Sequence, residues 1–230
     1  MRAAVLAPAF AVAFLVLFLA PPLLPYRFDP YPLINWADVV DLATPVILIP
    51  LYWLLLVNAE APIGLGWVIA FLILASAWVE GHGIHLAANA IGHLLKDQPG
   101  PAFDLTEFWD ELFSHYVWHF AVLGLSGLIF LRTARAAKPD AGTKWTGWAA
   151  AAVYGFAVFL ITDEGGTALL AIPVALAIVM ATWPVRRRLL TSPVLAMFGA
   201  GYGLTLVLYA AWFVYWGGKL PQFSEIGLIK

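Results

Sequence analysis

The sequence contains no cysteine. That one absence removes disulfides, thiolate metal sites and thiol nucleophiles together, so any metal here must be held by imidazole and carboxylate. Charge is scarce too. Asp, Glu, Lys and Arg make up 11% of the 230 residues, against about 25% in soluble proteins, while 63% are hydrophobic against about 45–50%. The basic residues form no stripe suited to nucleic acid, and a net charge of −2 points to no charged partner. Internal repeats and low-complexity tracts are lacking as well.

Long apolar runs are what the chain has in abundance. Several reach the length of about 20 residues that crosses a bilayer. They lie at 3–24, 36–58, 65–95, 104–131 and 192–216, and a further run at 146–184 is split in two by Thr-Asp-Glu-Gly-Gly at 162–166. The expected fold is an all-α, multi-pass membrane helix bundle of about seven transmembrane helices, forming one integral-membrane domain over residues 1–230. The first run is read as a retained helix, since Pro21, Pro22 and Pro25 make no cleavage site. The proline spacing at 25–35 predicts an ordered interfacial loop with aromatic anchors. Asp104-Leu-Thr-Glu107 has the spacing of a capping box and is read as the start of the fourth helix.

Orientation follows from charge. The stretches 132–144 and 186–188 hold seven of the twelve Lys and Arg, which places both in the cytoplasm and makes the chain N-in/C-out. The expected home is a bacterial inner (plasma) membrane. The 96–103 loop, the turn at Asp163-Glu164 and the histidine-bearing helix ends then face outward. Trp36, Trp109, Trp145, Trp148, Trp183 and Trp216 fall near span ends, as an aromatic belt does. Gly201-Tyr-Gly203 follows no strand, so close helix packing explains it better than a nucleotide site.

All five histidines, His82, His85, His93, His115 and His119, lie within residues 80–119. Ionisable groups inside a membrane are costly and usually mark function. At about 100° per residue, His82, His85, Asn89 and His93 share an arc of roughly 80° on the third helix. Glu111, His115 and His119 share a similar arc on the fourth. Counted from the connecting turn, His85 falls level with His115, and His82 roughly with His119. The spacing predicts a metal site held by His82, His85, His115 and His119. Zinc suits it best, with iron or copper as alternatives, because imidazole serves all three. Glu111 is the expected general base or further ligand, and Asp163 and Glu164 are expected to orient ligands or substrate. His93 lies nearer water, as a supporting or surface group. Glu80 points away from the histidine arc unless a bulge at Gly81 and Gly83 re-aims it, and Asp110 lies roughly 100° or more off the stripe.

A metal with three protein ligands keeps an open position and lowers the pKa of bound water toward about 7. The leading expectation is therefore a metal-dependent hydrolase acting on a lipid or other amphipathic substrate, with membrane lipids as its surroundings. One alternative is a redox protein holding haem b between histidines such as His85 and His119, or copper or non-haem iron. Another is a non-enzymatic carrier or assembly subunit. The plainest is a hydrogen-bonded network that glues two helices.

Overall fold

A computed structural model of the chain describes residues 3–24, 28, 31, 34–58, 62–136 and 144–228. Of these, 83% are helical and none forms a strand. In chain order the α-helices are α1 (Ala3–Leu19), α2 (Trp36–Asp41), α3 (Ala43–Val57), α4 (Leu65–Leu95), α5 (Pro101–Glu107), α6 (His115–Arg135), α7 (Lys144–Glu164), α8 (Ala168–Thr182) and α9 (Pro193–Tyr215). A π-helical stretch, Phe108–Ser114, joins α5 to α6, and a 3₁₀ stretch, Trp183–Leu190, follows α8.

Six helical runs among the described residues are long and apolar enough to cross a membrane: Trp36–Val57, Leu65–Leu95, Pro101–Arg135, Trp145–Glu164, Ala168–Leu190 and Pro193–Tyr215. α1 is shorter, at 17 residues. Its end is set by proline. Pro21 and Pro22 cannot donate to an α-helical ladder, so the helix stops at Leu19 and a 3₁₀ turn, Pro21–Leu23, replaces the expected continuation to residue 24. In the 25–35 segment, Phe28 stacks on Tyr31 and meets Trp36 edge-on. Most of the predicted loop lies outside the described residues, as do 137–143 with Lys138. The predicted capping box at Asp104 does not form. Pro101 opens α5 directly after Gly100, which leaves Asp104 in the first turn.

α1 is central to the packing despite its length. Phe10 meets Tyr52 edge-on with ring centroids 4.6 Å apart, and Phe14 lies 5.0 Å from Tyr154. α7 and α9 touch backbone to backbone. A Cβ on Gly155 would overlap the carbonyl of Gly201, and Thr205 Oγ1 donates to the Gly155 carbonyl at 2.9 Å. Small residues commonly permit such approach in membranes, in keeping with the packing role read for Gly201.

The sequence reading did not foresee a chain of buried hydroxyls through the core. Ser126 Oγ donates to the Val122 carbonyl (2.8 Å), so the hydroxyls of Tyr52 (3.0 Å) and Tyr154 (2.6 Å) donate to it. The Tyr202 hydroxyl lies 3.3 Å from that of Tyr154. These fully buried groups tie α3, α6, α7 and α9 together.

The two ends of the bundle differ. At one, Arg132 Nε donates to the Leu56 carbonyl (2.8 Å), Arg188 donates to the carbonyls of Ala134 and Thr133, and the Arg132 and Arg135 guanidiniums lie over Trp67. The histidines occupy the other.

Candidate functional site

The α4–α6 pair brings four imidazoles into one row. Ring centroids are 6.3 Å apart for His82–His85, 4.8 Å for His85–His115 and 5.6 Å for His115–His119. His85 and His115 thus face each other across the helix pair, as the rung count predicts. Gly81 makes the approach possible, since a Cβ there would stand 2.8 Å from the backbone N of Trp118 and 3.1 Å from the carbonyl O of Ser114. α4 runs unbroken from Leu65 to Leu95, so no bulge re-aims Glu80, and that residue stays exposed.

The bulge is on the facing helix instead. A π turn carries one extra residue and rotates what precedes it. The π stretch Phe108–Ser114 turns Asp110 inward, where it is 5% exposed and places Oδ1 2.6 Å from His85 Nδ1. Glu111, expected on the inner face, has a side chain 53% exposed with Oε2 3.6 Å from His115 Nδ1. Asp110 therefore takes the inner place that the regular helical period had given to Glu111.

Three of the imidazoles are held by partners that fix their tautomers. His82 Nε2 donates to the Asp41 carbonyl at 3.0 Å, with Asp41 Oδ1 also 3.4 Å away. His115 Nδ1 donates to the Glu111 carbonyl at 3.1 Å. Thr167 Oγ1 gives its proton to the Thr162 carbonyl, so His119 Nδ1 donates to Thr167 at 2.6 Å. A neutral ring that donates from one nitrogen keeps a lone pair on the other. The lone pairs fall on His82 Nδ1, His115 Nε2 and His119 Nε2. His82 Nδ1 and His119 Nε2 are buried without a hydrogen-bond partner, and neither His85 Nδ1 nor Asp110 Oδ1 makes a directed hydrogen bond despite their closeness.

The turn between α7 and α8 forms a third wall, but not with its acids. Thr167 holds His119, and a Cβ on Gly165 would overlap the His119 ring. Glu164 Oε2 accepts from the backbone N–H of Ser224 at 3.1 Å, fastening the segment after α9. Asp163 is buried with both carboxylate oxygens unpartnered. Among the described residues, no hydrogen bond or ion pair joins Asp163 or Glu164 to a histidine. His93 is exposed and lies 3.4 Å from Asn35 Nδ2, at the surface as expected. Trp118, not singled out in the sequence, fills the back of the row with its ring 3.7 Å from His119 and 5.8 Å from His82.

Two imidazoles on one tetrahedral ion, at metal–nitrogen distances of about 2.0–2.1 Å, have ring centroids about 5 Å apart. The His85–His115 separation matches that value. Among the described residues, however, no three His, Asp or Glu side chains are grouped as a ready ligand set for one ion. The imidazoles meet in successive pairs and do not close around a point. Comparison with protein-family models, curated proteins and solved structures found no match to this chain.

Proposed function

We propose that this chain is an integral-membrane protein whose imidazole row binds a divalent transition metal, zinc foremost, and that the centre hydrolyses a lipid or other amphipathic substrate. One observation carries the metal reading. His82, His115 and His119 each donate one ring N–H to a fixed acceptor and turn the other nitrogen's lone pair free, two of those nitrogens being buried without partners. Metal-ligating histidines are held in this way, and buried polar atoms without partners call for an explanation such as an ion.

A divalent ion held there supplies a Lewis acid for polarising a carbonyl or phosphoryl oxygen. The chain's own groups do the rest. Asp41 and Thr167 hold ring orientation, and Asp110 sets charge beside His85. Glu111, half exposed beside His115, is the group placed to take a proton from an attacking water. The absence of a ready three-ligand set among the described residues favours a second reading, a hydrogen-bonded network joining α4 and α6 to α2 and the α7–α8 turn. Cobalt(II) titration separates the two. Saturable visible d–d absorption at one ion per chain, lost in His115→Ala, is the outcome of a metal centre, whereas a network alone gives none.

We place the arginine end in the cytoplasm and the imidazole row toward the outer leaflet. With α1 counted as a span, this gives seven crossings, N-in/C-out. Burial of Phe10 and Phe14 in the core supports that count, and the basic residues at 132–135 and 186–188 support the orientation. Because the chain has no cysteine, single Asp97→Cys and Arg187→Cys variants can be labelled in intact cells with an impermeant maleimide. Labelling of position 97 alone is expected, and labelling of 187 alone overturns the orientation.

A further inference from the structure

The chain does not leave the bundle where α9 ends. Gly217 and Gly218 take left-handed backbone angles (φ 61° and 93°), and their N–H groups return to the carbonyls of Val214 and Phe213, which reverses the chain. The residues that follow lie back across the α7–α8 turn. Trp212 Nε1 donates to the Pro221 carbonyl at 3.0 Å, and the Phe223 ring packs on Trp212 and on Phe159 of α7, with centroids 5.1 and 5.7 Å apart. Two contacts reach the turn itself. The Ser224 N–H donates to Glu164 Oε2 at 3.1 Å, and the Gln222 amide lies over Gly166, where a Cβ would stand 2.6 Å from its Nε2.

On its inner side the same turn holds His119. Thr167 Oγ1 accepts from Nδ1, and Gly165 lies against the ring, which is fully buried. The short span from 164 to 167 thus connects an exposed hydrogen bond to a buried imidazole. Asp163 works against this closed arrangement. It follows Phe159 by four positions, so it shares the face of α7 that Phe223 covers. It is 2% exposed with neither carboxylate oxygen partnered, and the charged groups that act on it, Glu164 and Glu225, are both acidic. A buried polar group without a partner destabilises the state that buries it.

From these contacts we infer that the segment after α9 is a clamp that governs His119 through the α7–α8 turn, with Glu164 as the positioning residue that closes it and Asp163 as the group that favours release. Closed, the clamp keeps the ring donating to Thr167 and its Nε2 lone pair out of water. Released, it frees the turn to move away from the ring. Opening breaks one exposed hydrogen bond and one side-chain contact on the turn, so it lies far below global unfolding in cost. The inference deepens the proposed metal centre by naming what regulates one of its ligands, and it rests on that reading only for the effect on metal.

The test treats the metal-free full chain in nanodiscs with diethyl pyrocarbonate, which acylates imidazole nitrogens that carry a free lone pair. Modified histidines are mapped and timed by mass spectrometry, with the exposed His93 as internal standard. His119 is expected to react slowly in the wild type and about tenfold faster in Glu164→Ala. Glu164→Gln keeps an acceptor oxygen and is expected to stay near the wild-type rate. Adding Asp163→Asn to Glu164→Ala is expected to slow the reaction again. Ser224→Pro removes the donor from the clamp side and repeats the release should Glu164→Ala misfold. Equal His119 rates in the wild type and the released variants overturn the inference. So does a rise in Glu164→Gln as large as that in Glu164→Ala, and an unslowed double variant overturns the part given to Asp163. Cobalt(II) titration of the same proteins keeps the two proposals apart. Faster labelling on release with no cobalt bound by the wild type upholds the clamp and sinks the metal centre, whereas bound cobalt with unaltered labelling does the reverse.

Discussion

Asp110 Oδ1 approaches His85 Nδ1 to 2.6 Å across the α4–α6 contact, while the adjacent Glu111 leaves about half of its side chain in the open. Two neighbouring acids thus have different surroundings, and their substitutions are expected to act differently. Asp110→Asn replaces the carboxylate nearest His85 and is expected to lower metal affinity, by less than the roughly 10–100-fold that follows loss of a hydrogen-bonded partner behind a metal-ligating histidine. Glu111→Gln leaves affinity within a few-fold and acts on turnover, by roughly 10²–10⁴ for a lost general base. Competition with a chromophoric chelator measures the first effect and a hydrolysis assay the second. The reverse ranking in affinity would return the inner position to Glu111.

Gly165→Ala places a methyl group where the His119 ring lies. Overpacking of a closed site costs about 1–3 kcal/mol, and displacing His119 also breaks its bond to Thr167. Thermal unfolding in detergent, with metal content measured alongside, is expected to show both losses. Gly83→Ala, into open space, is expected to show neither. Equal behaviour of the two variants would refute the close seating of His119 against the α7–α8 turn.

Ser126 holds the buried hydroxyl chain together by accepting from Tyr52 and Tyr154. Ser126→Ala leaves both tyrosines short of an acceptor. Each interhelical hydrogen bond in a membrane protein contributes about 0.6 kcal/mol on average and at most about 1.7, so a loss of about 1–2 kcal/mol is expected with metal content unchanged. A change in metal content would show that the core network and the histidine row are coupled.

The helices were legible because apolar runs of membrane length are bounded by proline and charge. Pro21-Pro22 nevertheless ended α1 earlier than hydropathy alone suggested. The facing of His85 and His115 was legible too, since it needs only helical rise counted from a short turn. The inward turn of Asp110 was not. It depends on a π stretch within Phe108–Ser114 that no residue there signals, and a regular period assigns the inner face to Glu111. The clasps on His82 and His119 were hidden for another reason. Asp41 and Thr167 lie 41 and 48 positions away, so their roles depend on how α2 and the α7–α8 turn dock.

The central claim is that the imidazole row holds a metal, and elemental analysis beside thermal stability tests it most directly. Wild type and His119→Ala are purified without added metal, and then again after reconstitution with zinc. About one ion per chain is expected in the wild type and strongly reduced metal in the variant, with the bundle still folded because packing along whole helices holds it. If His119 is only a clasp between helices, the substitution costs about 0.6 kcal/mol and removes no ion. Wild-type protein that stays metal-free even after reconstitution would contradict the account.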